Sequence, residues 1–119
     1  MEETPSPAAP AGAGALDVRE QRNGRTCTLT LAGELTEAAR RPLVRALTDA
    51  LLEVPTLRRV ELRLGEVTFM NSAGMAVLVQ LLRMTAPRGV EIVLVGPRAT
   101  VTRPLQLAGL WHRFTVAEH

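Results

Sequence analysis

The sequence predicts one α/β domain built on a mixed sheet of four or five strands, with an N-terminal antiparallel hairpin and helices packed on the sheet. Three observations carry this expectation. An Asn23-Gly24 pair separates two short segments of strand character near the start, and Asn-Gly is a strong short-range hairpin signal. From Val60 onward strand-like and helix-like segments alternate, as they do where parallel strands are joined by right-handed helical crossovers. The 119 residues suffice for one core and not for two.

Residues 1–15, with Pro5, Pro7 and Pro10 among alanines and glycines, hold too little apolar surface to offset the entropy of ordering them. They are expected to form a disordered tail ahead of a domain over 16–119. Leu16 to Gln21 and Thr26 to Leu31 read as the hairpin strands. In the second, Cys27, Leu29 and Leu31 alternate with Thr28 and Thr30, which gives one apolar face. Ala32-Gly33-Glu34-Leu35-Thr36 reads as a loop. From about Pro42, tolerated in a first helical turn, the apolar residues Leu43, Ala46, Leu47, Ala50, Leu51 and Val54 recur at three- and four-residue spacing up to Pro55, the pattern of an amphipathic helix packed on a sheet.

Val60 to Leu64 alternates as a strand and passes through Gly65-Glu66 into a second short segment, in which Val67, Phe69 and Met70 suit a buried strand edge. Asn71 and Ser72 then suit a helix start, where a side chain caps the first turn and free N–H groups favour negative charge. The helix that follows, Ala73 to about Thr85, is apolar most of the way round, with Gln80 and Arg83 as its main polar interruptions. Such a helix is either covered on several sides or keeps a surface for a partner. Pro87-Arg88-Gly89 ends it, and Val90 to Val95 is an aliphatic run typical of a buried parallel strand. A short helix over Thr100–Ala108, with Val101, Leu105 and Ala108 inward, and a weak strand at Phe114–Val116 close the domain.

Composition narrows the function. There are two Phe, one Trp and no Tyr, so stacking platforms for single-stranded nucleic acid are largely missing. Every basic side chain is arginine, the formal charge is +2, and the arginines are spread along the chain without a dense run, so nucleic acid is not an expected partner. The lone Cys27 cannot form an internal disulfide and sits in an apolar alternation, which fits a reducing cytoplasm. Neither a secretion signal nor an apolar run of membrane-spanning length is apparent. A serine nucleophile would need a neighbouring base, yet the two histidines, His112 and His119, lie near the C-terminus and no Gly-x-Ser-x-Gly elbow occurs. No Cys/His set has zinc spacing and no Walker loop is present. The expectation is a binding module without cofactor, metal or small-molecule substrate, and not an enzyme.

Phe69-Met70-Asn71-Ser72-Ala73-Gly74-Met75-Ala76-Val77-Leu78 resembles the signature of the STAS domain, the sulphate transporter and anti-sigma factor antagonist domain, usually Phe-Met-Asp-Ser-Ser-Gly-Leu-Gly-Val-Leu. Gly33-Glu34-Leu35-Thr36 is similar to the family's Gly-Glu-Leu-Asp, and Gly96-Pro97 through Leu107-Ala108-Gly109-Leu110 to its last helix. The resemblance implies an anti-sigma factor antagonist: a cytoplasmic regulator of transcription that binds an anti-sigma factor, itself a serine kinase, frees a sigma factor, and is switched off by phosphorylation of Ser72, with a phosphatase as a further partner. It also implies a partner surface of Gly33, Glu34, Leu35, Thr36, Met70, Asn71, Ser72, Ala73, Gly74 and Met75. Asn71 and Thr36 replace aspartates and Ala73 replaces the second serine, so the surface loses two acids and keeps one hydroxyl at the signature turn. An alternative within the family is a regulatory subunit of a lipid-transport ABC complex with no phosphorylation cycle.

Overall fold

The computed structural model describes residues 15–118. Most of the expected N-terminal tail, and His119, lie outside the described residues. Five strands form one sheet in sequential order: β1 (Leu16–Asn23), β2 (Thr26–Leu35), β3 (Arg59–Met70), β4 (Glu91–Val95) and β5 (Thr115–Ala117). β1 and β2 are antiparallel, while β2 to β5 are parallel. The three parallel connections carry α1 (Arg40–Glu53), α2 (Ser72–Thr85) and α3 (Ala99–Leu107). Right-handed crossovers between sequential neighbours place all three helices on the same side of the sheet.

Burial agrees with that arrangement. Cys27, Leu29 and Leu31 of β2, Val60, Leu62 and Leu64 of β3, and Leu94 of β4 are fully buried together with Leu43 and Leu47 of α1, Val77, Leu78 and Leu81 of α2, and Val101 and Leu105 of α3. Each such leucine contributes on the order of 1.5–3 kcal/mol through burial. The other face of the sheet is more polar, with Thr28 and Thr30 half-buried and Arg63 exposed, but Val93 and Val95 of β4 are buried on it. There Arg59 pairs with Glu61 at 3.6 Å and approaches Glu91 at 4.0 Å, and the Thr115 hydroxyl donates to Glu91 at 2.9 Å.

The hairpin turns through Gly24-Arg25, one residue later than the Asn-Gly pair suggests. Gly24 takes φ 60° at the first central position, where a primed turn needs a left-handed backbone, and Asn23 is already paired with Thr26. Two further expectations are corrected. Ala32 to Leu35 is not a loop but the end of β2, and α1 begins at Arg40, entered through a short 3-10 turn at Glu37–Ala39. Ala108, expected inward, is exposed beyond the end of α3. The apolar character of α2 is explained by cover: it lies on the sheet with α1 and α3 beside it, so of its side chains after Ala73 only Ala76 and Arg83 are exposed.

Candidate functional site

At the carboxyl ends of the parallel strands, β3 runs straight into α2. Asn71 is the cap of that helix: its backbone is extended (φ −108°, ψ −176°) and its Oδ1 accepts the Gly74 N–H at 2.9 Å. The Asn71 carbonyl accepts the Met75 N–H at 3.0 Å. The N–H groups of Ser72 and Ala73 have no partner among the described residues. Ser72 is the first helical residue and is exposed. Its hydroxyl thus stands at the positive end of a 14-residue helix beside unpaired donors.

The site is welded to the end of β2. The Leu35 carbonyl accepts the Asn71 N–H at 3.3 Å. α2 then crosses so close to that strand end that a Cβ on Gly74 would lie 1.9 Å from the Leu35 oxygen and 2.4 Å from its carbonyl carbon. No residue but glycine fits there. Gly33 is held in the same way: it has φ 118°, and a Cβ would come within 2.5 Å of the Ala15 carbonyl, which accepts the Glu34 N–H at 3.0 Å. The Gly33 carbonyl accepts the Thr68 hydroxyl at 3.2 Å, and the Thr36 hydroxyl oxygen caps the following turn through the Ala38 N–H at 3.3 Å. Thr36 therefore keeps a capping role without a charge.

The sequence-predicted residues are brought together, in two layers. Asn71 and Ser72 are exposed, and Gly33, Glu34, Thr36, Ala73 and Met75 are half-buried. Leu35, Met70 and Gly74 are buried and brace the site from beneath. Three neighbours escaped the sequence reading. Phe69, expected to be buried, is 46% exposed. Two irregularities set extra β3 residues against β2: Thr30 to Ala32 faces Arg63 to Glu66, and Gly33 to Glu34 faces Val67 to Phe69. Each added residue changes the phase of the alternation, so Val67 and Met70 point in while Phe69, paired with Glu34, points out. Thr100, at the start of α3, donates its hydroxyl to the Val67 carbonyl at 3.2 Å and fixes that helix to the signature strand. Ala76 continues the exposed line from Ser72 along α2. The glycine between Leu64 and Glu66 was the only sequence hint of the first irregularity.

Cys27 is remote from this site, at the opposite end of β2. Burial, reinforced by the Glu20 carboxylate that accepts its S–H at 3.6 Å, pushes the thiol up from 9.0 to about 11. Arg22 holds Glu20 and Glu53 at that end, and these contacts keep its guanidinium protonated. His112 is exposed. Among the described residues no group of His, Cys, Asp and Glu could hold a metal ion, and no helix is long and apolar enough to cross a membrane.

Comparison with known proteins places these features in a family. Residues 17–119 match the STAS domain. Among solved structures, an anti-sigma factor antagonist from Mycobacterium paratuberculosis superposes with a TM-score of 0.74 at 16% identity, over 88% of this chain and 87% of that one. The anti-sigma factor antagonist SpoIIAA in its unphosphorylated form gives a TM-score of 0.71 at 20% identity, over 88% and 90% of the two chains. SpoIIAA, a Bacillus cell fate determinant, in its phosphorylated form gives 0.66 at 19% identity, over 88% and 93%. At these identities the likeness is one of fold. No curated protein matches the sequence. The chain is a member of the STAS domain family.

Proposed function

We propose that this chain is an anti-sigma factor antagonist that acts by partner switching in the cytoplasm. Unmodified, it binds an anti-sigma factor that is a serine kinase and so frees a sigma factor. Phosphorylation of Ser72 ends the complex, and a phosphatase restores it. The observation that carries this reading is the exposed Ser72 hydroxyl at the capped start of α2, framed by Gly33, Glu34, Thr36, Asn71, Ala73 and Met75. Solved structures of SpoIIAA with and without phosphate support it by analogy.

The physical logic is local. A phosphoserine adds about −1.5 to −2 charges and three acceptor oxygens. The unpaired Ser72 and Ala73 N–H groups and the helix dipole accommodate that group within the domain. A protein docked over Ser72 would instead have to desolvate it, which is costly unless a matched cation is present. The modification therefore blocks docking and leaves the fold intact. Incubation with the kinase-type anti-sigma factor and ATP should place label on Ser72, and Ser72→Ala should bind constitutively. Label at another residue would overturn the assignment.

The neutral Asn71 and Thr36 favour one second reading, a regulatory subunit of a lipid-transport ABC complex with no phosphate cycle. Co-purification with a permease and an ATPase, with no phosphate on Ser72, would establish it in place of the first.

A further inference from the structure

A groove of about 710 Å³ opens between the start of α1 and the middle of α2. Its lining is unevenly charged. Glu37 is the one carboxylate, and Arg40 grips it with two hydrogen bonds of 2.8 and 3.0 Å while also reaching the Gln80 side chain. That grip holds the Glu37 carboxyl below its usual range, so it stays ionised and committed to Arg40. Arg41 and Arg45 also line the groove, one helical turn apart on α1, and neither has a carboxylate partner among the described residues. Between the charges the wall is aliphatic, with Val44 half-buried.

This lining selects a class of occupant. Free phosphate would fill a small part of the volume and leave the aliphatic wall against water. Nucleic acid would find no aromatic side chain on which to stack a base. An amphipathic segment bearing carboxylates meets both demands, since planar guanidinium groups pair with carboxylates in a bidentate fork and the apolar face of the segment covers Val44. The groove is also continuous with the switch: Ser72, Ala76 and Gln80 follow one another at four-residue spacing along α2, so about 12 Å of helix separates Ser72 from Gln80.

We propose that the groove receives an acidic, amphipathic segment of a protein partner, with its carboxylates on Arg41 and Arg45 and an aliphatic side chain against Val44. That the partner is the one covering Ser72 rests on the partner-switching reading above; the chemistry of the groove does not. Arg41 and Arg45 have no carboxylate partner among the described residues, so the groove's selectivity is for negative charge.

The test titrates the full chain with a synthetic peptide carrying leucine and glutamate at helical spacing, and with the same peptide bearing lysine for glutamate. The expected result is saturable, salt-sensitive binding of the acidic peptide alone, weakened about tenfold or more in Arg41→Glu/Arg45→Glu and largely kept in Arg41→Lys/Arg45→Lys. Both arginines are exposed, so the reversed variant should fold; an unchanged melting temperature checks this. Arg58→Glu/Arg59→Glu, at the opposite end of the sheet, should bind like the parent. Equal binding by the Arg41/Arg45 reversal, or displacement of the peptide by inorganic phosphate at comparable concentration, would overturn the proposal. Loss of the switch at Ser72 with peptide binding retained would remove the partner-switching reading and leave the groove assignment standing.

Discussion

The two ends of the sheet use glycine for different reasons. At the end away from Ser72, Gly24 and Gly89 take φ 60° and 69° with nothing within 4 Å of where a Cβ would be. They supply a backbone direction and touch nothing. At the Ser72 end, Gly33 and Gly74 are pressed against the carbonyls of Ala15 and Leu35, and a methyl at either place would collide with main chain that cannot swing aside. One end is thus a set of turns, and the other is a seam in which β2, β3 and α2 are locked together. A phosphate on Ser72 would land on a braced platform and not on a pliable loop, so its effect would fall on whatever docks there.

Substitutions should expose this difference in a graded series. Gly74→Ala is expected to be the most damaging, with a loss of about 3 kcal/mol or more because the helix must lift off β2. Chemical denaturation would measure it, and a loss below about 1 kcal/mol would mean that the seam can open cheaply. Gly33→Ala should cost about 2 kcal/mol, since strain from positive φ adds to the clash with Ala15. Asn71→Ala should cost about 1 kcal/mol through the lost cap, whereas Asn71→Asp should leave stability nearly unchanged because the two residues cap almost equally well. Gly24→Ala, at the open end, should cost about 1 kcal/mol from backbone conformation alone. If Gly24→Ala proved as harmful as Gly74→Ala, the contrast between the ends would be lost.

The turn end also has a pH signature. Folding raises the Cys27 thiol from 9.0 to about 11, so the folded state holds its proton after the unfolded chain has released it. The stability linked to this group is therefore fully present below pH 9 and is lost as pH rises towards 11. Urea titrations at rising pH should show the decline in the parent and a smaller one in Cys27→Ala. At neutral pH a thiol reagent should modify native Cys27 far more slowly than the denatured protein.

Much of this was legible from residue order, and the gaps have specific physical causes. Alternation in Cys27–Leu31 and the helical spacing of Leu43, Leu47, Ala50 and Leu51 identify the covered face of the sheet because burial there follows simple periods, while the unbroken apolar run of β4 marks a strand buried on both faces. The same rule misplaced Phe69, since the β3 irregularities change the phase of the strand without a strong local cue. Ala32 to Leu35 read as a loop because Gly33 and Glu34 are weak strand formers; their strand geometry comes from pairing with β1 and β3, which is tertiary. Ser72 and its cap could be read locally, since capping involves neighbours in the chain. The groove at Arg41 and Arg45 could not, because its far wall is Gln80, 35 residues beyond Arg45 on another helix.

The most direct test installs phosphoserine at position 72 and measures thermal stability and affinity for the anti-sigma factor on the same preparation. Affinity should fall about a hundredfold or more while the melting temperature holds or rises slightly, because the phosphate meets free donors at the start of α2 and obstructs only the docked protein. A melting temperature lowered by several degrees with the partner still bound would contradict the account.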